Sequence, residues 1–207
     1  MKGADMRAGI GNRPVGWRAW RARLGGCRGA QLVEFALVLP LLVVVVVGIA
    51  DFGAGYALKD KLANAARDGA RVAVSQPNDL TNSQSTACSG VPCSVQSAAT
   101  AVVNYLDNSR PPVNTCGLAP SSTSPALPPP AFTWTYSAST GCPGTMSIKI
   151  ERAIPATVNG ATVFMTRVTL SYPFTWSFGR IIKFLVPSAS YANPITISSS
   201  TIMRNLN

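Results

Sequence analysis

A chain of 207 residues with a net charge of +10 and no histidine has room for one modest domain plus a membrane segment. Without histidine there is no Ser-His-Asp or Cys-His set, and no phosphate-binding glycine loop is present, so enzymatic chemistry is not expected. A basic chain invites a nucleic-acid reading, but no such motif is visible, and the densest basic cluster abuts an apolar run, which fits a membrane-flanking arm better.

Residues 1–29 hold seven Lys/Arg against one acid, Asp5, in a Gly/Arg-rich stretch without apolar periodicity. They read as a disordered cytoplasmic leader. The uncharged run Phe35–Ala50 follows. At helical rise it spans about 24 Å, and continuing to Leu58 past the single charge of Asp51 gives about 36 Å, enough for a hydrocarbon core of roughly 30 Å. Asp51 then lies near the far interface, where a charge costs less. A cleaved secretory signal is the rival reading, with Gly48-Ile-Ala50 as a weak small-x-small site. Pro40 removes a backbone donor and predicts a kink. Glu34 is a carboxylate at the lip of a membrane-length helix, which is costly in lipid and asks for a reason.

The helix is expected to run from 30 to about 75. Leu58, Leu62, Ala65, Ala66, Gly69, Ala70, Val72 and Ala73 recur at three- and four-residue steps, a narrow small-residue face that permits close helix approach. That face packs on the chain's own domain, on neighbouring subunits, or on both. Asp60, Arg67, Asp68 and Arg71 read as its solvated side. Flanking charge does not orient the helix, since the twenty residues before Glu34 and the twenty after Asp51 each carry four Lys/Arg.

Residues 76–207 are expected to form a small α+β domain outside the cytoplasm. Its four cysteines, Cys88, Cys93, Cys116 and Cys142, suit two disulfides in an oxidising compartment, with three possible pairings. Cys88–Cys93 with Cys116–Cys142 is the expected one, on the closeness of the first pair. A four-cysteine zinc site is the rival, disfavoured by irregular spacing. A polar loop spans 75–94, and Val95, Ala98, Ala99, Val102, Val103 and Leu106 predict a short second helix over 95–107. Seven prolines make 110–131 an extended loop without a core of its own. Four runs predict strands: Phe132–Tyr136, Met146–Glu151, Val163–Tyr172 and Ile195–Met203. An antiparallel sheet is expected, one face on water and the other under the long helix. Ile181–Val186 is either a short helix or an apolar loop. Trp134 and Trp176 read as sheet packing, and Asp107 and Glu151 lack metal-ligand spacing, so no metal or cofactor is expected.

Three blocks carry a resemblance. They are Gly29-Ala-Gln-Leu-Val-Glu-Phe-Ala-Leu-Val-Leu-Pro-Leu-Leu42; Asp51-Phe-Gly53 with Leu62-Ala-Asn-Ala-Ala-Arg-Asp-Gly-Ala-Arg71; and Val168-Thr-Leu-Ser-Tyr-Pro-Phe174 with Ser200-Thr-Ile-Met-Arg204. In this order they resemble the TadE-like pseudopilins of the Tad (tight adherence) pilus systems, although Asp68 stands where glutamate is more usual. The resemblance implies a pseudopilin or minor pilin that a prepilin peptidase cuts between Gly29 and Ala30. Glu34 becomes the fifth residue and Phe35 the sixth of the processed chain, with Glu34 pairing the new α-amino group in its own or a neighbouring subunit. It implies as partners other pilin and pseudopilin subunits, Tad inner-membrane assembly proteins and membrane lipid, and a single-pass location in the cytoplasmic membrane or an extracellular pilus. The middle of the chain, longer than a minimal member needs, leaves a tip or adhesive role open. A permanently membrane-anchored extracytoplasmic binding protein is the alternative from another class.

Overall fold

A computed structural model describes residues 27–76, 88, 91–120, 132–179 and 194–205. The expected leader residues 1–26, most of the 75–94 loop, the 121–131 part of the proline-rich loop and the Ile181–Val186 segment lie outside the described residues. The elements are α1 (Cys27–Ser75), α2 (Cys93–Asn108), β1 (Thr133–Ala138), β2 (Met146–Val158), β3 (Ala161–Phe174) and β4 (Ile195–Arg204). The chain is α+β, and α1 is long and apolar enough to cross a membrane. The described residues fall into two units, parted between Val46 and Val47.

In the first unit α1 begins at Cys27, so the Gly29–Ala30 bond lies in its opening turn rather than at the end of an irregular leader. Every residue from Gly29 to Val43 is exposed. Pro40 sits inside the helix.

The second unit holds the rest of α1 and the α+β domain. Leu62, Ala65, Ala66, Ala70 and Ala73 of α1 are fully buried in one cluster with α2 and the sheet. Gly69 lies between them. A Cβ there would stand 2.5 Å from Val102 Cγ2 and 3.2 Å from the Ala98 carbonyl oxygen, so α1 and α2 meet at a distance only glycine allows. The heptad-like recurrence of small residues is thus spent on the chain's own α2 and, through Val168, on β3.

The helix α2 has no side-chain cap at its start, which follows Pro92. It buries Val95, Ala98, Ala99, Val102, Val103 and Leu106, the face its periodicity marks. It stops at Ser109, whose N–H and Oγ both donate to the Leu106 carbonyl, just before two prolines that cannot continue the ladder.

The sheet is a meander in the order β1-β2-β3-β4, antiparallel throughout. Alternation places Trp134, Ile150 and Val168 side by side across three strands, with Tyr136, Ile148 and Leu170 as the next row, all buried. The strand β4 exposes every second residue and turns Ile197, Ser199, Thr201 and Met203 half inward.

Two expectations need correction. The strand expected to end at Glu151 continues to Val158 through a bulge at Arg152–Ala153, where Ala153 has φ +56°. The bulge interrupts the period-two pattern that the sequence reading follows. The 110–131 loop, expected to be extended and without a core of its own, is not extended throughout but lends Val113, Cys116 and Leu118 to the domain's core among α2 and the sheet. It is held there by Lys61 Nζ, which donates to the Pro111 carbonyl at 2.7 Å, and by the Val113 N–H, which donates to the Leu106 carbonyl at 3.1 Å. Beyond the bulge, β2 and β3 close through Asn159 (φ +51°) and Gly160 (φ +80°), a two-residue turn of the type that matches strand twist.

Candidate functional site

The residues singled out for processing and assembly occupy one helical stretch. Gly29 and Ala30 lie in the first turn of α1, Glu34 and Phe35 one turn on, and Pro40 further along, all exposed. Around them Leu32, Val33, Leu37, Leu41, Leu42, Val45, Val46 and Ile49 are exposed as well. A contiguous apolar surface of this length is not kept in water, so lipid or other apolar helices must cover it. Glu34 is the only acid between Ala30 and Ala50. In an apolar surround a lone carboxylate gains from a cation, which a free α-amino group at Ala30 would supply. Pro40 has no N–H, so the Ala36 carbonyl has no donor four residues on, a local loosening that membrane helices tolerate.

The domain shows where the other singled-out residues go. Cys88 pairs with Cys93 and Cys116 with Cys142. The first bond staples the 75–94 loop to the opening of α2. The second ties the partly buried 113–118 loop to the β1–β2 connection across a separation of 26 residues, which is worth about 3.5 kcal/mol on the loop-entropy view. Glu151 is engaged by Lys149 at 3.1 Å and Arg167 at 3.4 Å, and Asp107 accepts from Thr115 Oγ1 at 3.3 Å. Among the described residues no three His, Cys, Asp or Glu side chains gather into a metal site. Asp60, Arg67 and Arg71 are exposed, as a solvated face requires, while Asp68 is half-buried. Trp134 is buried in the sheet. Trp176 instead packs beyond β3, its ring centroid 5.2 Å from Phe52 and 5.2 Å from Phe174.

Sequence reasoning missed several buried polar groups. Asp51 is only 6% exposed, and its Oδ2 accepts the Phe178 N–H at 2.6 Å. The charge was visible, but its partner lies 127 residues away. Arg152, at the β2 bulge, is buried and donates to Ser94 Oγ at the start of α2. Thr166 Oγ1 donates to Asn205 Oδ1 at 2.7 Å, and the Asn205 N–H to the Phe164 carbonyl, which closes the end of β4. The Tyr136 hydroxyl is buried with no hydrogen-bond partner among the described residues, and burial pushes its pKa up to about 12. An arginine or tyrosine standing at a core position of a strand pattern is the signal that could have found the second and last of these.

One apolar, membrane-length N-terminal helix followed by an α+β domain fits the class of single-pass membrane proteins. Residues 29–71 match the family model described as TadE-like protein, a likeness that supports a Tad pilus-related protein in general. The match begins at Gly29 and ends inside α1. It therefore contains the first two resembling blocks, while Val168–Phe174 and Ser200–Arg204 lie beyond it. That family is structural rather than enzymatic. No curated protein and no solved structure matches the chain.

Proposed function

We propose that this chain is a TadE-like pseudopilin or minor pilin, cut between Gly29 and Ala30 by a prepilin peptidase and assembled through the exposed stretch of α1. Residues 1–29 are its cytoplasmic leader, 30–75 its membrane and packing helix, and 76–207 its extracytoplasmic domain. The observation that carries the reading is the uneven use of α1. From Leu58 onward its small-residue face is consumed by the chain's own core, whereas Ala30–Ile49 offers an uninterrupted apolar surface with one carboxylate, Glu34, near its start. That is the surface a helix needs to leave lipid for a bundle of similar helices, where close packing replaces lipid contact. Glu34 meets the Ala30 α-amino group of its own or a neighbouring chain and fixes the register. The partners are pilin-like subunits and the Tad inner-membrane assembly proteins, and the membrane is the cytoplasmic one.

Intact mass and N-terminal sequencing of the protein from membranes of its native host test this directly. The expected chain starts at Ala30. A start near Asp51 means ordinary secretion, and a start at Met1 in a host with an active prepilin peptidase means a permanent anchor. Either result removes the proposal. Glu34→Ala is expected to leave cleavage largely intact and to impair pilus assembly. Normal pili from that variant would reduce Glu34 to an interfacial residue.

A further inference from the structure

Just past the apolar run, α1 presents Phe52, Tyr56 and Lys59 to an open groove of about 330 Å³, closed on the far side by the start of β4. Phe52 and Tyr56 are 62% and 69% exposed, and Ile195 on the β4 wall is exposed too. Trp176 lines the groove between them, its ring held by Phe52 and Phe174. The Asp51 carboxylate anchors the backbone two residues after Trp176, so the ring is fixed against α1 at this height.

That height is set by chain length. A hydrocarbon core of roughly 30 Å takes about 20 helical residues, and counted from Phe35 it ends near Ala54. Phe52 then stands at the hydrocarbon edge, Tyr56 about 3 Å beyond it and Lys59 about 7 Å beyond, within the headgroup layer. Ring, ring and cation at rising depth match the upper acyl chain, the glycerol region and the phosphate of a phospholipid, the level at which Trp and Tyr partition. Lys59 makes no ion pair among the described residues. A second copy of this chain is a poor complement to it, since residues 30–207 carry eleven Lys/Arg against seven acids, whereas every phospholipid brings a phosphate.

We propose that this groove seats a phospholipid of the leaflet from which α1 emerges, with acyl carbons against Phe52 and Trp176 and the phosphate on Lys59. The proposal rests on α1 crossing the membrane. It is tested with the full chain, one copy per nanodisc, in phosphatidylcholine and phosphatidylglycerol brominated at acyl carbons 6 and 7. The emission lost in Trp176→Phe isolates Trp176 from Trp17, Trp20 and Trp134. Bromination is expected to quench that component at least twofold, and Lys59→Glu to halve the quenching. A nitroxide at Thr196→Cys, with Cys27→Ser, reads the β4 wall independently and should be more accessible to oxygen than to a water-soluble nickel chelate. If the inserted chain shows no quenching, or the nitroxide favours nickel, protein or water fills the groove and the lipid proposal falls while the spanning helix stands. A chain released by alkaline carbonate overturns both.

Discussion

Residues 32–49 and 58–73 belong to one helix, α1, yet they meet opposite environments, the first with a single charge and the second with six. In the upper stretch Leu62, Ala65, Ala66, Ala70 and Ala73 have no exposed surface, and Gly69 admits Val102 at a distance no other residue would. In the lower stretch large residues predominate and stay bare, and Gly48 has no atom near the place a Cβ would occupy. Small residues mark the part of the helix whose partner is already in the chain. Large aliphatic ones mark the part that nothing among the described residues covers. Side-chain size and the charges interleaved with it separate the internal seam from the external one.

The sharpest way to break this contrast is a matched truncation. Leu62→Ala should cost the domain about 2–5 kcal/mol in denaturant unfolding, since it leaves a cavity in a closed core. Leu42→Ala should stay within about 0.5 kcal/mol of wild type. Equal losses would mean the lower stretch also packs within the chain. Asp51→Ala marks the border. Removing a buried charged acceptor should cost about 2 kcal/mol and speed amide exchange at Phe178. An unchanged exchange rate would show that the bond contributes nothing to the segment holding Trp176.

Glycine gives a finer version of the test. Gly69→Ala overpacks against Val102 and the Ala98 carbonyl by about 1–3 kcal/mol, against a helix-propensity gain of about 1 kcal/mol, so a net loss is expected. Gly48→Ala keeps only the gain and should leave thermal unfolding of the domain unchanged or slightly raised. A domain stabilised by Gly69→Ala would show that α1 and α2 can separate freely.

The smallest effect is one of pH and belongs to the domain alone. The Tyr136 pKa is raised by burial to about 12, whereas the unfolded side chain titrates near 10. Between those values the unfolded state releases the proton first, so stability is intact below pH 10 and falls by roughly 1 kcal/mol per pH unit above it. Tyr136→Phe should flatten that fall without cost at neutral pH, because it removes a buried hydroxyl that has no partner among the described residues. Denaturant midpoints from pH 9 to 11 measure both, and parallel curves for the two proteins would show the hydroxyl is solvated.

The contrast between the two stretches was half legible. Three- and four-residue spacing located the upper face, α2 and its buried positions because helical burial follows a local period. The stretch holding Gly29, Ala30, Glu34, Phe35 and Pro40 was read instead from its apolar run and from a family resemblance, and the roles of those residues are proposals. Which partner took the small-residue face was not, because Gly69 and Val102 meet only after the 75–94 loop returns the chain. Asp51 and Phe178, or Lys61 and Pro111, are likewise pairings of tertiary origin. The sheet was readable wherever inward and outward residues alternate, in the edge strands β1 and β4 as well as in β2 and β3. It was lost past Glu151, where β2 pairs only with β3 among the described residues. There the bulge shifts the register, and Pro155 costs no ladder bond on the open side. The overlooked local signal was Asn159-Gly160 between two β-prone runs.

That turn has a practical consequence. Val158, Asn159, Gly160 and Ala161 are all exposed, and nothing lies within 4 Å of a Cβ built on Gly160. The paired core rows from Ser147 to Glu151 sit several residues back across the bulge. A short epitope placed between Asn159 and Gly160 therefore lengthens a loop whose closure entropy grows only slowly with size. It gives an antibody a handle on the folded domain, with the helix, both disulfides and the rings of the groove left as they are.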